Sequence, residues 1–75
     1  MPKLPRVSGA ETIRALERLG FVQVRQRGSH VVLKRIAPER AVGCVVPLHP
    51  ELAIGTLRSI LKQAAVKAED FIQKL

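Results

Sequence analysis

Between residues 21 and 46, three short runs rich in β-branched residues follow one another with only three or four residues between them. Phe21 to Gln26 is the first run, and Arg27-Gly28-Ser29 turns the chain. His30 to Ile36 is the second, Ala37-Pro38-Glu39-Arg40 forms the next loop, and Ala41 to Val46 is the third, ended by Pro47. Parallel strands need crossovers of about a dozen residues or more, so connections this short dictate an antiparallel meander.

Helical signals flank the meander. Ser8 followed by Glu11 three residues on is a capping box. Ile13, Leu16 and Leu19 then fall on one arc, Glu11, Arg14, Glu17 and Arg18 fall on the other, and Gly20 offers a left-handed stop. After the third strand, residues 48–52 form a loop leading to a second helix near Gly55 and Thr56. There Leu57, Ile60, Leu61 and Ala64 sit at i, i+3, i+4 and i+7, with Arg58 and Lys62 on the solvent side. Glu69-Asp70-Phe71-Ile72 reads as one further helical turn that drops Phe71 and Ile72 onto the core. Residues 1–7, with Pro2 and Pro5, read as an extended leader. The predicted class is α+β in the order α-β-β-β-α: a three-stranded antiparallel sheet with two helices on one face and the other face free. Seventy-five residues, 47% of them apolar, suit one domain over 1–75 with a modest core.

Charge narrows the function. Thirteen Lys and Arg against six Asp and Glu give a net charge of +7. A surplus that large on a small surface attracts polyanions, nucleic acid foremost. With two Phe and neither Tyr nor Trp, a platform for stacking single-stranded bases is not expected. The apolar run Ala41 to Val46 is far short of the ~20 residues of a membrane-spanning helix, and the first residues lack a secretory signal, so the predicted location is the cytoplasm. The single Cys44 permits no internal disulfide and lies in an apolar run, as a buried small hydrophobe would. Two histidines and one widely spaced cysteine match no zinc pattern, phosphate-loop and dinucleotide glycine motifs are lacking, and no metal or other cofactor is expected.

Alternation sorts the second strand by face: Val31 and Leu33 toward the helices, His30, Val32 and Lys34 away from them. The same reasoning turns Val22 and Val24 inward and Gln23 and Arg25 outward, although it leaves Phe21 facing out without a contact. The free face would then carry His30 at a strand start, ringed by Arg25, Arg27 and Lys34. Cleaving RNA through its 2′-hydroxyl needs one proton removed and another supplied, and a histidine, with an ordinary pKa of about 6.5, serves either role near neutral pH. Arg25, Arg27 and Lys34 are candidate phosphate contacts that would stabilise the developing charge. By residue type alone, a histidine in the position of His30 more often merely sits beside a turn. His49, held between Pro47 and Pro50, could supply the second proton-transfer group or hold its own loop.

The same residues resemble the HicA toxins, also called YcfA-like mRNA interferases. The likeness runs from about Val7 to Leu75: L-G-F at Leu19 to Phe21, R-G-S-H at Arg27 to His30, V-P-L-H at Val46 to His49, G-T-L-R-S-I-L-K-Q at Gly55 to Gln63, and A-E-D-F at Ala68 to Phe71. The resemblance implies a fold like the double-stranded-RNA-binding domain, an endoribonuclease that cuts messenger RNA, and a HicB-like antitoxin protein as partner. It also makes His30, in the G-S-H segment, the catalytic histidine. Two departures stand out. Ala65 occupies a position where many relatives carry glycine, which lets the second helix run on. Val31 stands where relatives often have a polar or aromatic residue, which would alter how RNA lies beside His30. The rival reading is a non-enzymatic double-stranded-RNA binder of the same fold, recognising phosphates and 2′-hydroxyls. Such modules usually open their last helix with a lysine cluster, which Gly55-Thr56-Leu57-Arg58 lacks.

Overall fold

The computed structural model describes residues 3–36 and 38–75; Met1 and Pro2 of the expected leader and Ala37 of the second loop lie outside them. Helix α1 (Gly9–Arg18) is followed by strands β1 (Val22–Arg27), β2 (His30–Ile36) and β3 (Ala41–Pro47), then helices α2 (Ile54–Ala64) and α3 (Ala68–Gln73). The sheet is antiparallel in the order β1-β2-β3, as the short connections require. The result is the α+β, double-stranded-RNA-binding-domain-like architecture expected from the sequence, with α3 as the additional helical turn.

Local chemistry sets the helix ends. The Ser8 side chain accepts from the Glu11 backbone N–H at 3.0 Å, while the Ser8 N–H donates to the Glu11 carboxylate at 2.9 Å, so two otherwise orphaned donors are satisfied. The bond from the Ser8 backbone holds the Glu11 carboxyl below the usual carboxylate range. Helix α2 does not run on past Ala65. It ends there, because Ala65 itself takes the left-handed conformation (φ 56°, ψ 41°) and its N–H returns to the carbonyls of Leu61 and Lys62. The chain thereby reverses into α3 and delivers Phe71, fully buried, to the core.

Ile13 and Leu16 of α1, Val31 and Leu33 of β2, Cys44 and Val46 of β3, and Leu57, Ile60, Leu61 and Ala64 of α2 close into one cluster. Each large side chain in it contributes ~1.5–3 kcal/mol by leaving water. Burial pushes the Cys44 thiol up to about 11, which makes it a core residue rather than a nucleophile. The leader joins the core too: Val7 is buried, and its carbonyl accepts from the Leu52 N–H at 2.8 Å.

Gly9 sets how closely α1 meets the sheet. Its N–H donates to the His49 carbonyl at 2.9 Å, and a Cβ added there would stand 2.0 Å from the Pro47 carbonyl oxygen. Both obstacles are backbone, so the helix would have to move. Gly9→Ala is expected to lower stability by ~1–3 kcal/mol, outweighing any gain in helix propensity, and a fall in the urea midpoint at unchanged slope checks it. Ala65→Gly should have the opposite sign, raising stability by ~1 kcal/mol through relief of the left-handed alanine. An unchanged midpoint in both variants would contradict this account of the two helix ends.

Candidate active site

Strand β2 sorts as its alternation predicts. Val31 and Leu33 are buried against the helices, whereas His30 and Lys34 are exposed on the opposite, open face. Directly opposed residues of an antiparallel pair share a face, so the register extends this assignment to the neighbouring strands. Arg27 pairs with His30, and His30 pairs on its other side with Pro47. Arg25 pairs with Val32, which pairs in turn with Val45, and Val22 pairs with Lys34. The open face thus brings together Arg25, Arg27, His30 and Lys34, the four residues singled out from the sequence. The three strands contain no Asp or Glu to offset that charge.

Strand β1 corrects the sequence-based assignment. Val22 and Val24 do not face the core; they are 60% and 50% exposed. Gln23 does not face outward either: it pairs with the buried Leu33, and its amide donates to the Glu17 carboxylate at 3.4 Å. The cause is a register shift between Gln23 and Arg25, a β-bulge that leaves Val24 without a partner and inverts the parity upstream of it. The bulge also accounts for Phe21, which is 2% exposed and lies beneath the Arg35 guanidinium, 5.2 Å from ring centroid to Arg35 Cζ. Arg27 belongs to β1 rather than to the turn, and Gly28 in the turn has a positive φ of 57°. Val31, buried on the helix side, does not lie beside anything bound at His30.

The end of the sheet that carries His30 is firmly held. The Leu48 N–H donates to the Ser29 carbonyl at 2.7 Å, and the His49 carbonyl ties α1 through Gly9. At the far edge the Val45 N–H reaches the Gln63 side chain at 3.4 Å. Two concavities of the surface lie on the helix side, one lined by Val7, Glu11, Arg14, Arg18 and Leu75 and another between α1 and β1 around Ile13, Gln23 and Gln26. An open cationic sheet suits a polymer laid across it better than a small enclosed ligand. Among the described residues, no three His, Cys, Asp or Glu side chains converge as a metal cage would need. No helix among them is long and apolar enough to cross a membrane.

The sequence profile of the family described as HicA toxin of bacterial toxin-antitoxin matches residues 9–66, from the first residue of α1 to just beyond α2. The chain belongs to the HicA toxin family. It is accordingly a toxin of a toxin–antitoxin system, whose counterpart is an antitoxin. A search of curated proteins returned no match. In this HicA-family chain the matched span takes in the whole sheet, both histidines and every cation of the open face. The bulge was the feature hidden in the sequence, and the only signal of it was the conflict at Phe21.

The bulge is a backbone device, so its removal and its side chain separate cleanly. Deleting Val24 alone would leave Gln23 opposite Leu33 and Arg25 opposite Val32 in an unbroken ladder with Phe21 still inward. Deleting Gln23 and Val24 together sets Val22 opposite Leu33, turns Phe21 outward and should cost several kcal/mol, on the order of the ~3–5 kcal/mol of losing a buried Phe. Val24→Thr, which keeps the extra residue at an exposed position, should stay within ~0.5 kcal/mol. Urea unfolding of the double deletion and of Val24→Thr checks it; equal stabilities would mean that strand parity is not what seats Phe21.

Proposed function

We propose that this HicA-family toxin is an endoribonuclease that cleaves messenger RNA without a metal ion, with His30 as the general acid or base of the reaction. The observation that carries the reading is the cross-strand row Arg27–His30, an exposed imidazole beside a guanidinium on a face that also holds Arg25 and Lys34. Phosphodiester cleavage by the neighbouring 2′-hydroxyl needs a proton acceptor at the nucleophile, a donor at the leaving oxygen and cations at the phosphorane. Imidazole supplies the first or second, worth typically ~10²–10⁴ in rate. Arg25, Arg27 and Lys34 supply the third, holding charge that grows in the transition state. Membership of the family supports the toxin role, and cleavage of transcripts is the chemistry by which this face would exert it.

The antitoxin in this reading is a HicB-like protein that covers the open face around His30. An acidic surface on it would be steered to the cations, and a stable interface of ~800 Å² per partner would occlude a large share of so small a sheet. Inhibition then needs no distortion of the toxin.

Purified protein incubated with messenger RNA in excess EDTA should cut it, and His30→Ala should lose cleavage and toxicity together. Because the ring is exposed, that variant should remain folded, with stability changed by no more than ~0.5 kcal/mol. Cleavage by His30→Ala at the wild-type rate overturns the assignment. Loss of cleavage in EDTA that Mg²⁺ or Mn²⁺ restores overturns the metal-free mechanism.

A further inference from the structure

The cleavage proposed above requires two proton transfers on opposite sides of the phosphorus, and His30 can perform only one at a time. The second histidine lies at the same end of the sheet. Pro47 is the cross-strand partner of His30, and the Leu48 N–H bond to the Ser29 carbonyl at 2.7 Å continues the β2–β3 ladder beyond it. His49 precedes Pro50, and a residue before proline is held in extended backbone. Strand β3 ends at Pro47, which is buried, and His49 follows two residues on with an exposed side chain, in a loop that the Leu48 bond keeps against the β1–β2 turn. In the register that the Leu48–Ser29 bond continues, His49 is the diagonal neighbour of His30, a position for which Cα atoms stand ~7–8 Å apart, within reach of long or aromatic side chains. A phosphate fits between two imidazoles at that spacing. Its seat is fixed, because the His49 carbonyl receives the Gly9 N–H at 2.9 Å while its side chain is exposed.

We infer that His49 is the second proton-transfer group of the site, paired with His30 across the scissile phosphate. This rests on the ribonuclease reading and deepens it. One imidazole takes the proton of the 2′-hydroxyl as the bond from that oxygen to phosphorus forms. The other, as imidazolium, gives its proton to the 5′ oxygen as the bond from phosphorus to that oxygen breaks. The products are a 2′,3′-cyclic phosphate on one fragment and a 5′-hydroxyl on the other, and exchange with water resets the two rings. No metal, oxidant or further reactant enters the balance.

The test is chemical rescue. His49→Ala and His49→Gln should each keep the fold by circular dichroism and urea unfolding, yet cut RNA ~10²–10⁴-fold more slowly than the parent. Free imidazole should restore rate to His49→Ala, and a series of substituted imidazoles should show a rescue that varies with their basicity. A rate that rises with basicity makes His49 the base, and one that falls makes it the acid; either supports the pairing. An unimpaired His49→Ala, a deficit that no imidazole relieves, or rescue indifferent to basicity overturns it. Full activity in His30→Ala would instead sink the ribonuclease assignment of that residue, so the two failures are told apart.

Discussion

Strand β1 has to satisfy two demands that an unbroken strand cannot meet together. Phe21 must reach the core, where it is nearly fully buried beneath Arg35, while Arg25 and Arg27 must stand on the open face beside Val32 and His30. Residues 21, 25 and 27 share parity, and a regular strand would send all three the same way. The unpaired residue at Val24 resolves the conflict by shifting the register once. Before it the strand sends Phe21 to the core, and after it the strand sets Arg25 and Arg27 on the open face. The exposed Val22 and Val24 are the visible consequence, two valines left in solvent so that one phenylalanine can leave it.

A second constraint operates at the end of the sheet where the histidines lie. Four segments meet there: the leader through Val7 and Leu52, α1 through Gly9 and His49, the β1–β2 turn through Ser29, and the loop after β3 through Leu48. Each link is a backbone hydrogen bond, and the approach is close enough that only glycine fits at position 9. Such a framework holds side chains at strand ends with little freedom, the condition under which proton transfer groups keep their geometry. The face on which we propose catalysis is thus placed on rigid elements, with no need of a lid or an enclosing pocket to define it.

Much of this was legible in the chain itself. The capping box at Ser8 and Glu11, the stripe of Leu57, Ile60, Leu61 and Ala64, and the alternation of β2 are local patterns whose period alone assigns them, and they placed His30 and Lys34 on the free face. Arg25 was placed there too, but through a parity argument that the bulge invalidates further up the strand. Valine suits either face of a strand, so Val22 and Val24 carried no information about which way they point. Gly9 and Ala65 were obscure for a different reason. The clash that forbids a Cβ at position 9 comes from Pro47, far away in sequence, while the left-handed turn at Ala65 is closed by bonds from Ala65 and Val66 back to Lys62 and Leu61. A distant contact decided the first, and the second was hidden because alanine is by itself a strong helix former.

The central claim is that RNA lies across the open sheet face with its reacting phosphate at the Arg27–His30 end. The most direct measurement is a titration of the isotopically labelled protein, followed through its amide resonances, with an RNA whose 2′-hydroxyls are replaced by hydrogen so that it binds without being cut. The account predicts that the largest shifts fall on β1, β2 and the segment from Pro47 to Pro50, strongest around Arg27 and His30. Shifts concentrated instead on α1 and the C-terminal residues, around Arg14 and Arg18, with the sheet unmoved, would contradict it.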